Sequence, residues 1–428
     1  MTQRPAWGLV PAGMLAIAFS LSGCTNSGAT GDGSNSPITL TVATFGEFGY
    51  KPLFDEYQKL HPSITVRSRI TDFDTHHKTL ATQLAAGRGA ADVTAIEEQN
   101  LPQFRQVKDK FVNLAEYGAA DLRNQWVPWK WDQGTADDGR LVLGLGTDMG
   151  GLAMCYRRDY FQAAGLPTDR AEVAKLWPTW QAYAQVADRF SAVDPSVKFA
   201  DSAGNIYQSI IDQADESYFA RSDDSFIADR NPNVETAFRL AGTISAKHQT
   251  ANVEPFTQAW NVAIKRGSFA TMTCPAWMLE QLRTAGGPEN AGKWDITTIP
   301  GGGGNRGGSY LAVPKQGAHT RESYELAKWL TAPAQQKKLF NKADILSSEP
   351  AVYKDPEVLA FTDGYFHDAP IGQIYASSAD DLKPLYRGTR DATARPVFGH
   401  ALGRVTEGKQ TIDEAWASAV KEARDALH

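Results

Sequence analysis

The chain between residues 38 and 96 switches between two hydrophobic periods. Three stretches alternate apolar and polar residues or are short and apolar, which predicts β-strands at 38–45, 64–70 and 92–96. Two stretches carry apolar residues at helical spacing, which predicts helices at 50–60 and 75–86. The order β-α-β-α-β is typical of a parallel sheet flanked by helices.

The same alternation resumes after Gly151. Further strands are predicted at 152–156, 269–273 and 309–313, and further helices at 180–190, 234–247, 277–283, 321–330 and 334–341. Residues 300–308 include six glycines and form the one low-complexity insert, which suggests a mobile loop or a crossing between domains. No repeat of fixed period is present, which argues against a solenoid.

The N-terminus carries the pattern of an export signal. Arg4 precedes an apolar run at 9–21, which is too short to span a bilayer. Leu-Ser-Gly then leads into Cys24, a sequence that resembles the bacterial lipobox, with cleavage after Gly23 and a lipid on the Cys24 thiol. The alternative is an ordinary secretory signal followed by a chance cysteine. The lipobox interpretation predicts a protein anchored by lipid on the extracytoplasmic face of the cell membrane.

Residues 25–37 contain no large apolar side chain and are rich in Gly, Ser, Thr and Asn, so we expect a flexible tether. The body from residue 38 to 428 is larger than one core usually supports, which predicts two domains. The chain has 43 basic and 49 acidic residues and no basic stripe, which argues against nucleic acid as a partner.

Motifs for catalysis, cofactors and metals are missing from the sequence. Gly144-Leu145-Gly146 is followed by Met149 where a dinucleotide fingerprint requires glycine, and neither a P-loop nor a GxSxG motif occurs. His76 and His77 are adjacent, so we expect them to point apart on a solvated helix face and not to share a metal. We therefore expect no catalytic residue, no metal and no cofactor.

Tryptophans provide the positive signal. Trp126, Trp129 and Trp131 lie within six positions, Trp260 precedes an asparagine, and Trp277 follows Pro275. A sugar ring presents an apolar face and a rim of hydroxyls, so its site needs flat aromatic faces beside polar side chains. Each tryptophan could equally fill the core or brace a turn.

Several motifs, in this order, resemble the family 1 extracellular solute-binding proteins. They are the segment LGLGTDMGGLAMCYRRDYF with the following AGLP, Thr179-Trp180, FATMTCPAWM at 269–278, IPGGGGNRGGSYLAVP at 299–314 and GKQTIDEA at 408–415. The resemblance covers the whole body from Ile38 onward. Within the family, the chain resembles actinobacterial lipoproteins that bind cellobiose, xylobiose and related β-linked oligosaccharides.

This resemblance implies an α/β fold of the two-lobe periplasmic-binding-protein type. Each lobe is then a mostly parallel sheet flanked by helices, and the ligand lies in the cleft between the lobes. We expect a signal peptide at 1–23, a tether at 24–37, a first lobe at 38–147 plus 305–366, and a second lobe at 148–304 plus 367–428.

The resemblance also implies ligand-binding residues. Trp277 matches the principal sugar-stacking aromatic, and Asp148 matches a polar position of the cleft. Glu97 and Glu47 follow strands, where ligands of parallel sheets are bound. Arg306 stands where related proteins often carry an aromatic residue, and arginine can both stack on a sugar and donate hydrogen bonds. Trp260 and Trp129 complete the candidate set.

Cys155 and Cys274 are the two cysteines that remain after Cys24. Two thiols in an exported protein suggest one disulfide, and two buried free thiols are the alternative. In the architecture that the resemblance implies, their strands are neighbours, which brings the pair within bridging distance.

We therefore expect a monomeric solute-binding protein that captures a β-linked gluco- or xylo-oligosaccharide by hinge closure. Its partner is the permease of an ABC importer, and only its lipid contacts the membrane. Two alternatives are a surface glycoside-cleaving enzyme that uses paired carboxylates, and a binding protein of the same fold for a non-sugar solute.

Overall fold

The computed structural model describes residues 37–428. The expected signal peptide, Cys24 and nearly the whole tether lie outside these described residues, so the lipobox interpretation stays a prediction. Among the described residues, no helix is both long and apolar enough to cross a membrane.

The described residues form 11 β-strands. In chain order the strands are β1 (Ile38–Phe45), β2 (Ile64–Thr71), β3 (Val93–Glu97), β4 (Thr135–Ala136), β5 (Leu141–Val142), β6 (Gly144–Gly146), β7 (Met154–Arg157), β8 (Lys198–Ala200), β9 (Phe269–Thr273), β10 (Trp294–Thr297) and β11 (Ser309–Ala312).

The described residues also form 18 α-helices. In chain order the helices are α1 (Lys51–Leu60), α2 (Phe73–Ala86), α3 (Leu101–Arg105), α4 (Pro128–Gln133), α5 (Arg158–Ala163), α6 (Arg170–Leu176), α7 (Trp180–Val193), α8 (Ala203–Ile211), α9 (Pro232–Ala246), α10 (Gln258–Arg266), α11 (Met278–Gly286), α12 (Thr320–Leu330), α13 (Pro333–Ala343), α14 (Pro350–Tyr353), α15 (Pro356–Leu359), α16 (Ile371–Asp380), α17 (Asp391–Thr406) and α18 (Ile412–Ala426).

The first sheet has the strand order β2-β1-β3-β11-β6. The alternation in β1 places Leu40 and Val42 in the core, whereas β3 is buried along its whole length. β1 pairs in parallel with both β2 and β3, as the β-α-β-α-β pattern predicts. β11 runs antiparallel to β3 and to β6, so a strand from late in the chain completes this sheet.

The second sheet has the order β10-β7-β9-β8. Only β8 and β9 pair in parallel, and β7 runs antiparallel to both of its neighbours. The two-lobe α/β fold is confirmed, but the expectation that each sheet is mostly parallel is wrong for this sheet. The reason is that β7, the first strand after the passage from the first sheet, lies between β9 and β10 and runs in the opposite direction to both.

The chain passes between the two sheets twice, after β6 and again before β11. These two passages agree with crossings near residues 148 and 305. The full lobe boundaries at 38–147 plus 305–366 and 148–304 plus 367–428 stay a prediction.

A disulfide joins Cys155 to Cys274, with their Cα atoms 5.8 Å apart. Cys155 lies in β7, and the Cys274 amide donates to the carbonyl of Ala153, so the bond links β7 to the residue that follows β9. Cys274 is three residues before Trp277. The bridge therefore holds the start of the turn that carries this tryptophan.

Reduction of the disulfide should lower the free energy of unfolding, because the bridge spans 119 residues and restricts the conformational entropy of the unfolded chain. A loop of this size contributes up to about 4–5 kcal/mol in the chain-entropy model. The expected result is no free thiol in denatured, unreduced mature protein, and a lower melting temperature for the Cys155→Ser, Cys274→Ser double variant. Two reactive thiols in protein recovered from its exported form would contradict this expectation.

Candidate functional site

The two passages between the sheets lie side by side and are hydrogen-bonded. The Arg306 amide donates to the Gly150 carbonyl at 2.9 Å, and the Gly150 amide donates to Asn305 Oδ1 at 2.8 Å. A Cβ atom on Gly150 would lie 1.6 Å from the Arg306 carbonyl oxygen, so only glycine permits this approach. The close approach of the second passage therefore requires glycine at position 150 of the first.

The Arg306 side chain extends from the second passage into helix α8. Its Nε donates to Asp212 Oδ2 at 2.9 Å, its Nη2 donates to Ser209 Oγ at 2.8 Å, and its Nη1 donates to Asn205 Oδ1. The side chain is buried. Since its donors are used inside the protein, the structure removes Arg306 from the side chains that could stack on a ligand, which corrects the sequence-based expectation.

A second arginine shares the carboxylate of Asp212. Arg387 Nη2 donates to Asp212 Oδ1 at 3.0 Å, and its Nε lies 3.7 Å from Glu98 Oε1. The other carboxylate oxygen of Glu98, Oε2, accepts a hydrogen bond from the side-chain Nδ2 of Asn305. We call Glu98, Asp212, Asn305, Arg306 and Arg387 the buried polar network. It joins the end of β3, the end of α8, the second passage and the C-terminal part of the chain.

The Trp277 indole lies against this network. Its Nε1 donates to the carbonyl of Arg306 at 2.9 Å, and Gly307, with a φ of +94°, packs beside the ring. The indole is half-buried and is stacked on Phe256, with ring centroids 5.7 Å apart and planes at 28°. Trp277 thus lies at a partly open surface with a fixed orientation, as a stacking residue requires.

Phe256 is the aromatic residue that the sequence analysis missed. Its ring is 58 % exposed, and its backbone has a φ of +68°, a conformation that a bulky side chain rarely adopts. Such strain persists where the surrounding structure imposes it, often at binding sites. Nothing in the hydrophobic pattern marks this position, because an exposed Phe in a loop has no periodicity.

Two other predicted tryptophans occupy different environments. Trp260 is fully buried in a hydrophobic cluster beneath Phe256, so it supports the loop from within the core, and the expectation that it binds ligand is wrong. Trp129 is half-buried at the start of α4, with the ammonium of Lys130 5.8 Å from its ring centroid. Trp129 and Trp277 both pack against the same hydrophobic cluster, which includes Met149, Cys155 and Cys274.

The three predicted carboxylates differ in exposure. Asp148 is half-buried, and its Oδ1 accepts hydrogen bonds from Thr147 Oγ1 at 2.7 Å and from the Ser309 amide at 3.1 Å. Glu97 is buried next to the buried polar network, and its Oε2 accepts from the Gln99 amide at 2.6 Å. Glu47 is exposed in the loop that follows β1.

Lys130 interacts with the charges of Asp148, Glu97 and Glu98, and the sequence analysis did not predict its role. Its ammonium is 4.2 Å from the ring centroid of Tyr310 and has no hydrogen-bond partner among the described residues. Burial lowers its pKa, and the charges of Asp148, Glu98 and Glu97 act in the opposite direction. A buried lysine beside three carboxylates compensates part of their negative charge.

His76 and His77 are both buried, which corrects the expectation of a solvated helix face. His76 Nε2 is hydrogen-bonded to the Ala95 carbonyl at 2.7 Å, and His77 Nε2 accepts from the Glu97 amide at 3.1 Å. Burial lowers the pKa of His77 to about 4, so its ring is neutral at physiological pH. The two rings fix the end of β3, where Glu97 begins the polar loop.

Glu97 should make stability depend on pH. Burial, followed by the charge of Glu98, raises the pKa of Glu97 to about 8 from an ordinary value of 4.5. The folded state therefore holds a proton that the unfolded state has lost, and this contribution disappears as pH rises through 8. Burial also raises the pKa of Glu98 to about 7 and of Glu349 to about 8, in the same direction.

Between pH 7 and pH 9 the melting temperature of the protein should therefore fall, and Glu97→Gln should reduce the slope. The buried histidines do not interfere, because their folded and unfolded forms are both neutral in this range. Exposed Glu116, changed to Gln, provides the control. Equal slopes for the protein and for Glu97→Gln would show that Glu97 is ionised throughout.

Comparisons with known proteins show the family of this chain. Residues 52–362 match the family model described as bacterial extracellular solute-binding protein. A crystal structure of an extracellular solute-binding protein of family 1 is 40% identical, with a TM-score of 0.83, and the match covers 92% of this chain and 100% of that chain.

Two more distant relatives have names that mention an oligosaccharide. One is the ABC transporter associated binding protein from B. animalis subsp. lactis Bl-04 in complex with β-1,6-galactobiose, which is 21% identical with a TM-score of 0.77 over 90% of this chain and 97% of that chain. The other is an arabinooligosaccharide-binding protein of Halalkalibacterium halodurans, 25% identical over 236 residues and 53% of this chain. The match spans half of that protein's length.

The matched family consists of binding proteins, so the prediction of a binding protein and not an enzyme is confirmed. The family model covers most of the chain, and the 40% identical structure is covered from end to end. This chain belongs to the bacterial extracellular solute-binding proteins.

Proposed function

We propose that this protein is the extracytoplasmic binding component of an ABC importer and that it binds an oligosaccharide beside Trp277. The observation that carries the proposal is the stacked pair of Phe256 and Trp277, half-open to solvent and adjacent to the buried polar network. Aromatic faces of this kind suit the apolar face of a sugar ring. Carboxylates such as Asp148 suit its hydroxyls.

The ligand class follows from relatives and from the resemblance. The two distant relatives are an arabinooligosaccharide-binding protein and a binding protein in complex with β-1,6-galactobiose. The sequence resembles proteins that bind β-linked gluco- and xylo-oligosaccharides. We therefore propose a β-linked gluco- or xylo-oligosaccharide as the ligand.

Binding is proposed to close the two lobes about the paired passages. Gly307 and Gly308, with φ of +94° and +102°, lie in the second passage, and glycine adopts such backbone angles more readily than any other residue. A sugar that contacts both lobes stabilises the closed form in proportion to its difference in affinity for the two forms. We propose that the permease of the importer recognises this closed form. We also propose that the protein acts as a monomer.

Trp277→Ala should weaken oligosaccharide binding by about 1–3 kcal/mol, the range for a lost aromatic contact at a binding surface. Phe256→Ala should weaken it as well and should leave folding intact, since the ring is exposed. Titration calorimetry with cello- and xylo-oligosaccharides measures both effects. Trp329→Ala is the matched control, because Trp329 is also half-buried and packs against an aromatic residue, Tyr57.

Unchanged affinity in a folded Trp277→Ala variant would contradict the stacking role. A thermal-shift panel of sugars, amino acids and metal salts tests the ligand class, since a ligand that binds only the folded state raises the melting temperature. Stabilisation by a non-sugar solute alone would overturn the proposed ligand and leave the family unaffected.

Cys24 is proposed to carry the lipid that holds the protein at the cell membrane. Cys24→Ser should release the protein into the medium or the cell-wall fraction, because a protein without acyl chains loses its attachment. Cell fractionation with immunoblotting measures the distribution, and the double variant of Cys155 and Cys274 serves as a control for loss of thiols elsewhere. Membrane fractionation identical to that of the parent would contradict the lipid anchor.

A further inference from the structure

Glu98 and Arg387 face each other from two different hydrophobic cores. Glu98 follows β3, whose Val93 packs in the core of the first sheet. Arg387 lies between Leu385 and Ala394, which pack in the core of the second sheet together with residues of β7, β8 and β9. Glu98 Oε1 is 3.7 Å from Arg387 Nε, and both side chains are buried. This contact therefore connects the two proposed lobes.

Arg387 is held mainly from its own side of that contact. Its Nη2 donates to Asp212 Oδ1 at 3.0 Å, and its Nη1 lies 3.6 Å from Asp391 Oδ2. Asp212 follows α8 and Asp391 begins α17, two helices that pack on each other in the second core. Of the three carboxylates that form ion pairs with Arg387, Glu98 is the one that comes from the first sheet. Separation of the lobes would therefore part Glu98 from Arg387 and leave the two aspartates in place.

The charge of an ionised Glu98 is poorly compensated where the side chain is buried. The two buried arginines, Arg306 and Arg387, already have the two buried aspartates, Asp212 and Asp391, as partners. An ionised carboxylate that pairs with arginine usually approaches it to about 2.7–2.9 Å. Glu98 Oε1 instead stays 3.7 Å from the guanidinium and has no hydrogen-bond partner among the described residues. A buried carboxyl in such surroundings is more stable when it is protonated.

The other charges around Glu98 do not reverse this preference. Burial raises the pKa of Glu98 to about 7 from an ordinary value of 4.5; the charge of Asp212 acts in the same direction, and the charges of Arg387 and Lys130 act against it. The remaining titratable groups in these surroundings, from β3, the first passage, β11 and α17, are Glu97, Asp148, Tyr310 and Arg395. Arg395 pairs with Asp391 at 3.5 Å and is partly exposed.

We infer that capture of the ligand is coupled to the uptake of one proton by Glu98, which is ionised in solvent when the lobes are apart and protonated when closure buries it against Arg387. Solvent supplies the proton, and opening returns it. The inference rests on the proposed function, because closure about a ligand is the event that buries Glu98. It makes Glu98 a positioning residue that acts on the ligand through closure and not by contact.

Binding calorimetry on the mature protein with cello- and xylo-oligosaccharides tests the coupling. At pH 6, the heat of binding measured in phosphate and in imidazole should differ by the difference between the two buffers' ionisation enthalpies multiplied by about one proton. The affinity should fall about tenfold between pH 6 and pH 8. The sign follows because the closed form keeps the proton up to about pH 7, whereas the open form has lost it above its ordinary value of 4.5.

Glu98→Gln imitates the protonated carboxyl. This variant should take up no proton on binding, should keep the parent's affinity at pH 6 and should bind equally well at pH 8. Glu349→Gln is the matched control: burial also raises the pKa of Glu349 to about 8, but its hydrogen-bond partner, Gln125, lies in the same proposed lobe. The control should therefore keep the parent's proton uptake. Melting curves establish that both variants are folded.

Sugar binding by the parent without proton uptake at pH 6 would overturn the inference while leaving the proposed function intact. Uptake that persists in Glu98→Gln would overturn it too, and so would a loss of affinity in this variant that is the same at both pH values, since that is the mark of a purely structural role. If the parent binds no member of either sugar series, the proposed ligand is overturned first and the coupling with it.

Discussion

The carboxylate of Asp212 is the contact on which the rest of the site depends. It accepts hydrogen bonds from both Arg306 and Arg387, at 2.9 and 3.0 Å, and all three side chains are buried. Removal of one partner from a buried ion pair leaves an uncompensated charge, which typically costs about 3–5 kcal/mol. Helix α8, the second passage and the C-terminal segment are therefore fixed together by one side chain.

The same arrangement links the buried Arg306 to the orientation of Trp277, the proposed stacking residue. Because the side chain of Arg306 is held by α8, its carbonyl is fixed and orients the Trp277 indole. The disulfide at Cys274 restrains the other side of the same turn. Under the proposed function, any movement of the second passage during closure also moves the Trp277 indole, because the indole is hydrogen-bonded directly to the Arg306 carbonyl.

Sequence patterns predicted the elements whose stability is local. The strand at 38–45 and the strand at 269–273 match their predicted bounds, since alternation and short apolar runs encode them. Helix α17 was not predicted, because Pro396 and two glycines weaken its pattern and burial of residues such as Phe398 stabilises it instead. The pairing of Arg306 with Asp212 was not predicted, because the two residues are 94 positions apart and pairing at that distance is not encoded locally.

Under the proposed function, the ion pairs of Asp212 favour an uncharged ligand, which the sequence alone did not indicate. Burial raises the pKa values of Glu97 and Glu98 to about 8 and about 7, so near neutral pH this pair holds part of its protons. A protonated carboxyl donates one hydrogen bond and accepts others, as a hydroxyl does, and it adds no charge to be compensated. Arg306 and Arg387 are already paired with Asp212, whereas Lys130 has no hydrogen-bond partner among the described residues. Under the proposed function, a neutral sugar leaves both ion pairs of Asp212 intact, whereas an acidic sugar at these groups would have to compete with Asp212 for Arg306 and Arg387.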